Sequence, residues 1–149
     1  MLAQKPDVVI DLVCFTLDSA TALVEALRGK VDHLIHCGSI WRYGASRKLP
    51  IVEGSDSAGP PFDEYGAEKA AIAEMLRRET ASGGIATTAI HPGHIVGPGW
   101  HPTGPLGNVN PEAWRLLTSG GVIRIPGSGT ATLHHVHADD LAQAFELAV

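Results

Sequence analysis

Val8-Val9-Ile10-Asp11-Leu12-Val13 is a nearly continuous apolar run, the length and composition expected of a strand buried on both faces of a parallel sheet. Outward from it the pattern alternates. Asp18 reads as the N-cap of a helix that puts Ala22, Leu23, Ala26 and Leu27 on one face and stops at Gly29. Residues 31–36 read as a second strand and residues 44–61, punctuated by Gly, Ser and Pro, as loop. A long helix is predicted over 63–80, rich in good helix formers such as Ala70, Ala71, Ala73, Met75 and Leu76, and stopped by Ser82-Gly83-Gly84.

Residues 85–90 then read as a third strand leading into a loop over 92–105. A short helix is predicted over 111–118, and short strands over 122–125 and 132–136 flank the turn Pro126-Gly127-Ser128-Gly129. A last helix begins near Asp139 and continues to the end. Strands alternating with helices predict an α/β fold, a Rossmann-like parallel sheet with helices on both faces joined by right-handed crossovers. The glycine clusters that could be weighed as phosphate loops are Gly93…Gly97-Pro98-Gly99, Gly120-Gly121 and Gly127-Ser128-Gly129. None of these stands between an early strand and a helix start, where a dinucleotide pyrophosphate is normally held. The expected sheet is therefore incomplete at its N-terminal side.

Composition narrows the partners. The formal charge is −5, and the 11 Lys and Arg are scattered, which argues against nucleic acid or an anionic membrane surface, since both select a clustered basic face. No stretch approaches the ~20 apolar residues of a membrane helix, and no leader pattern opens the chain. Cys14 and Cys37 form no C-x-x-C and read as small buried residues of a reducing compartment. A soluble, cytoplasmic protein with a small-molecule substrate is expected.

The chemistry concentrates at Tyr65-Gly66-Ala67-Glu68-Lys69. Positions four apart share a helix face, so the Tyr65 hydroxyl and the Lys69 ammonium can address one site. A free tyrosine ionises near pH ~10. A cation about 4 Å away is worth roughly 4 kcal/mol at an effective dielectric of 20, or about three pH units, enough for proton transfer near neutrality. Standing alone, the same five residues also describe an ordinary surface pair. Ser39, in His36-Cys37-Gly38-Ser39-Ile40-Trp41-Arg42-Tyr43-Gly44, follows a strand, and His91-Pro92-Gly93-His94 follows another. The C-terminal ends of parallel strands are where such sheets put their reacting groups.

At these residues the chain resembles the extended short-chain dehydrogenase/reductases, the NAD-dependent epimerase/dehydratase family. Five landmarks occur in order: Pro6-Asp7-Val8-Val9, Ser39-x-x-x-Tyr43-Gly44, Tyr65-x-x-x-Lys69, Pro92-x-x-x-x-Gly97-Pro98-Gly99, and His137-Ala138-Asp139-Asp140-Leu141-Ala142. The resemblance implies NAD or NADP as cofactor and hydride transfer at a secondary alcohol or ketone carbon. It makes Tyr65 the general acid/base and Lys69 the residue that lowers its pKa and binds the nicotinamide ribose. Ser39 would hydrogen-bond the substrate oxygen. Cys37, Gly38 and Pro92 would join Tyr65 and Lys69 around the cofactor, and Trp41 and His94 would lie on the substrate side. It further implies a partial dinucleotide-binding domain over 1–98, a substrate-side segment over 99–136 and a returning helix over 137–149, the whole an interior piece of the family fold.

Departures accompany the match. His91 stands where many members carry arginine, and Leu133 where nucleotide-sugar enzymes commonly carry a phosphate-binding arginine, which argues against a nucleoside-diphosphate sugar. An inactive fold remnant or a partner-binding module is the alternative. His134-His135-Val136-His137 offers two same-face ligands at most, so no metal is expected, and Asp139 is expected to cap the last helix. Trp41, Trp100 and Trp114 also read as core or loop anchors. The first strand, with Asp11 alone to discourage pairing, offers an edge for self-association into a homo-oligomer.

Overall fold

The structure is a computed structural model describing residues 4–46, 48–53, 58–100, 104, 109–125, 127–130 and 132–149. Its elements are β1 (Val8–Asp11), α1 (Leu17–Leu27), β2 (His33–Cys37), a 3-10 turn (Ile40–Arg42), α2 (Glu64–Ala81), β3 (Ala86–Ile90), β4 (His94–Val96), α3 (Pro111–Thr118), β5 (His135–His137) and α4 (Ala138–Ala148). They divide into two compact units, Met1–Pro92 with Ala144–Val149, and Gly93–Gln143.

In the first unit β1, β2 and β3 form a parallel sheet in that order, with Val9 beside Leu34 and Asp11 beside His36. Each strand reaches the next through a helix, as the alternating pattern requires. Val9 and Leu34 meet Val24 and Leu27 of α1, Ile72 and Leu76 of α2, and Ile85 in one buried cluster. At roughly 1.5–3 kcal/mol for each large side chain removed from water, this cluster fixes the two helices on the sheet. Polar contacts then set their ends. Glu68 Oε2 accepts from the Leu17 N–H at 2.5 Å, tying α2 to the first turn of α1. Glu79, 6% exposed, accepts from the Ile85 N–H and pairs with Arg28 just beyond α1.

Several boundaries differ from the sequence reading for local reasons. The N-cap of α1 is Thr16, not Asp18, because the Thr16 hydroxyl accepts from the Ser19 N–H and Ser19 returns the contact. Asp18 lies in the first turn, where its charge suits the helix dipole. Strand β1 ends at Asp11, and Leu12 and Val13 are exposed beyond it. Asp11 does not guard an exposed edge: it is 5% exposed and paired inside the fold. The helix predicted from residue 63 is capped there, Asp63 accepting from the Gly66 N–H at 2.8 Å. Gly83, at φ +80°, takes the left-handed conformation that ends that helix.

The second unit departs further. The segment 94–96, read as loop, is strand β4, which pairs in parallel with β5. Residues 122–125 form no strand; Val122 is 83% exposed, and no strand among the described residues pairs with it. The strand expected over 132–136 is confined to His135–His137. Pro126 of the expected turn, and Pro105 at the end of the expected loop, lie outside the described residues. At the start of α4 the His137 ring, not Asp139, takes the capping role, Nδ1 accepting from the Asp139 N–H at 3.2 Å. No helix among the described residues is long and apolar enough to cross a membrane. Among them there is no cluster of three or more His, Cys, Asp or Glu that could hold a metal ion.

Candidate active site

The C-terminal ends of β2 and β3 are stitched together past their last sheet residues. Gly38 N–H donates to the Ile90 carbonyl at 2.7 Å, and Ile40 N–H to the Pro92 carbonyl at 3.0 Å. Ser39 therefore sits between two anchored peptides. It is 6% exposed, and its Oγ accepts from the Trp41 N–H at 3.2 Å, capping the 3-10 turn. Among the described residues the Ser39 hydroxyl proton has no acceptor, so it remains available to a ligand oxygen.

Tyr65 is brought to this turn by Gly66. A Cβ at Gly66 would lie 2.3 Å from the Trp41 carbonyl oxygen, so only glycine lets the first turn of α2 approach so closely. Tyr65 is 39% exposed, its ring tilted against Phe15 with centroids 6.2 Å apart. One turn further along, Lys69 is 3% exposed and donates to two carbonyls, Cys14 at 2.8 Å and Cys37 at 2.9 Å. Its Nζ lies 6.0 Å from the Tyr65 ring and 5.0 Å from the Phe15 ring. Burial pushes the Lys69 ammonium below the usual lysine range, and the nearby Cys37, Asp11 and Cys14 act the other way. An ammonium has three N–H donors. Two are spent on the strand ends, and the third has no acceptor among the described residues.

Around these residues lies a layer that the sequence reading did not bring to the site. Asp11 Oδ2 accepts from His36 Nδ1 at 2.7 Å, and Asp11 Oδ1 accepts from the Val13 and Cys14 N–H groups at 2.9 and 3.0 Å. Burial alone would raise the Asp11 carboxyl; His36 and the two N–H donors instead hold it below the usual carboxylate range. His36 is 1% exposed, and its Nε2 has no partner among the described residues. The signal was present in the sequence as one acid in β1 and one histidine in β2 on the same pleat. Recognising it needed the register that pairs them.

His91 follows β3 and packs its ring on Gly38, where a Cβ would come within 2.2 Å of His91 Nδ1. Arg42 Nη1 donates to His91 Nε2 at 2.8 Å. Arginine can only donate, so Nε2 is the lone-pair nitrogen and Nδ1 carries the proton. Burial first, then the charges of Arg42, His36 and Lys69, hold the imidazole at about 4, neutral at pH 7. Its buried Nδ1–H has no acceptor among the described residues. Of the remaining candidates, Cys37 ends β2, Pro92 is buried after β3, and Trp41 lies in the 3-10 turn, 37% exposed. His94 belongs to the second unit, where its ring stacks 5.6 Å from His135.

At these strand ends the first unit holds a buried lysine with a third N–H, a half-exposed tyrosine and a serine hydroxyl. Neither helix α1 nor helix α2 offers an open N-terminus among the described residues. The N-terminus of α1 is filled by the Glu68 carboxylate and that of α2 by Asp63, leaving neither for an anion.

Comparison with known proteins identifies the family. Residues 5–149 match the model of the NAD dependent epimerase/dehydratase family. A 2'-dehydrokanamycin reductase from Streptomyces kanamyceticus is 30% identical over 95% of this chain and 39% of its own length. Among solved structures, UDP-N-acetylglucosamine 4-epimerase from Methanobrevibacter ruminantium M1, in complex with UDP-N-acetylmuramic acid, superposes with a TM-score of 0.73 at 21% identity. That match covers 95% of this chain and 50% of the other. dTDP-glucose 4,6-dehydratase from Bacillus anthracis str. Ames, in complex with NAD, gives 0.66 at 12% identity over 95% and 47%. The chain thus spans well under two thirds of the proteins it matches, and the structural likenesses speak for the fold. The parallel α/β architecture, the ordered motifs and the family match agree: the chain belongs to the NAD dependent epimerase/dehydratase family, the extended short-chain dehydrogenase/reductases.

Proposed function

We propose that this chain carries the proton-transfer half of a nicotinamide-dependent oxidoreductase or epimerase acting on a secondary alcohol or ketone carbon. The observation that carries the reading is Lys69. A buried ammonium spans from the first turns of α2 to the end of β2, beside Tyr65 and two residues from Ser39. Burying a lysine without a full partner is costly, and here the expense is met next to a half-exposed phenol.

NAD or NADP, when bound, supplies or removes the hydride. Lys69 would use its third N–H on the ribose, with Gly38, Cys37 and Pro92 forming the wall beside it. Ser39 donates its hydroxyl proton to the substrate oxygen and holds it toward Tyr65. Tyr65 gives its proton to that oxygen in reduction and takes it back in oxidation, with the Lys69 cation favouring the phenolate. Trp41 is assigned to the substrate side. Reduction of a ketone also accords with the reductase relative, and the Leu133 position favours a substrate without a nucleotide diphosphate. A cytoplasmic enzyme is the natural setting for this chemistry.

The test is hydride transfer, followed as loss of reduced-nicotinamide absorbance with ketone substrates. Tyr65→Phe should lower kcat by ~10²–10⁴-fold, with the fold unchanged by circular dichroism. Turnover that survives Tyr65→Phe would overturn the assignment. A folded chain with no turnover on any ketone would favour the inactive or partner-binding alternative.

A further inference from the structure

Cys14 is held at both ends. Its N–H donates to Asp11 Oδ1 at 3.0 Å, and its carbonyl accepts from Lys69 Nζ at 2.8 Å. The second carbonyl on Lys69 belongs to Cys37, which directly follows His36, and His36 Nδ1 is bonded to the other oxygen of the same Asp11 carboxylate. Asp11 thus touches the backbone or the strand neighbour of both carbonyls that tether the ammonium. It does so from inside the fold, at 5% exposure, with three N–H donors on its two oxygens. Buried carboxylates need such satisfaction, but a structural turn at this position could be closed by a neutral Asn or Ser.

We propose that Asp11 is a positioning residue for Lys69: its carboxylate fixes the Cys14 peptide and the His36 end of β2, and its negative charge keeps the lysine cationic in a buried place. The consequence for catalysis rests on the reading of Lys69 given above; the effect on the lysine itself does not. Among the described residues the titratable groups facing Lys69 are Asp11 and Cys14 at the end of β1, Cys37 from β2, Tyr65 on its own helix, and His91 after β3, with the Phe15 ring beside them. Of these, Asp11 is the acid of ordinary carboxylate type, and its charge opposes the loss of the Lys69 proton that burial promotes.

Lysine side chains labelled with carbon-13 at Cε report this directly, since the chain has Lys5, Lys30, Lys48 and Lys69 only. Asp11→Asn keeps an oxygen for the Val13 and Cys14 N–H groups and removes the charge. The Lys69 titration midpoint should fall by on the order of one pH unit, the size expected when one nearby opposite charge is removed, while the other three lysines stay put. His36→Gln, which leaves the carboxylate charged, should leave the Lys69 midpoint near its original value. Should Asp11→Asn not fold, Asp11→Ser closes the same turn with a hydroxyl and carries the same expectation. A Lys69 midpoint unmoved in a folded, uncharged Asp11 variant overturns the proposal. In the hydride-transfer assay Asp11→Asn should lower kcat about tenfold with little change in KM. If the midpoint moves while Tyr65→Phe retains turnover, the positioning stands and the catalytic reading fails.

Discussion

Gly38→Ala is the sharpest structural perturbation available near the site. A Cβ there would lie 2.2 Å from His91 Nδ1 and 2.6 Å from Cε1, so the ring must retreat by about 1 Å to reach ordinary contact distance. Retreat breaks the 2.8 Å bond from Arg42. Overpacking costs ~1–3 kcal/mol and the lost hydrogen bond ~0.5–1.5, against a gain of ~0.4–1 from stiffening the unfolded chain. The net loss should be about 2–3 kcal/mol. With a urea slope of ~1–3 kcal/mol/M, the unfolding midpoint should fall by roughly 1–2 M at unchanged slope. In Gly38→Ala/His91→Ala the added methyl enters the space of the missing ring. The double variant should therefore be at least ~1 kcal/mol more stable than the sum of the single losses. A Gly38→Ala loss below ~0.5 kcal/mol, or strict additivity in the cycle, would refute the packing of His91 on Gly38.

Two further outcomes follow from buried or exposed groups. His91 titrates at about 4 in the fold against 6.5 for a free ring, so between those values the unfolded chain binds more protons and stability rises with pH. The contribution is complete above pH ~6.5 and is lost as pH falls toward 4, up to about 2–3 kcal/mol. Urea unfolding at stepped pH should show this slope, and His91→Gln should flatten it; an unchanged slope would contradict a buried neutral ring. At β1, which has one strand neighbour among the described residues, Ile10 is 44% exposed and is followed by exposed Leu12, Val13 and Phe15. Light scattering should show self-association that Ile10→Lys reduces. A monodisperse monomer whose β1 amides resist hydrogen exchange would show the edge to be covered.

Much of this arrangement was legible beforehand, and the reason is local. Apolar runs, the Asp63 cap and the Gly83 stop are properties of neighbouring residues, so the strands and helices of the first unit fall within a few positions of their predicted ends. Tyr65 and Lys69 could be placed on one helix face by spacing alone. What the sequence concealed depends on register and on packing between distant segments. Asp11 looked like a deterrent on an exposed strand until its neighbour proved to be His36. The Arg42–His91 pair joins residues of two different strand ends. Thr16 won the cap from Asp18 because Ser19 could reciprocate, a contest between side chains that composition does not rank. In the second unit the short strands β4 and β5 exist through each other, so neither leaves a strong period in its own segment.

The central claim is that Ser39, Tyr65 and Lys69 form one site for the nicotinamide end of the cofactor. Nitrogen-15 and lysine carbon-13 NMR of this chain, titrated with nicotinamide mononucleotide, tests it most directly. The account predicts shifts gathered on Gly38, Ser39, Tyr65 and the Lys69 side chain, abolished by Lys69→Met, with NADH binding little tighter because neither α1 nor α2 offers a free N-terminus to the pyrophosphate. Shifts absent from these residues at saturating mononucleotide, or submicromolar NADH binding that leaves them unmoved, would contradict it.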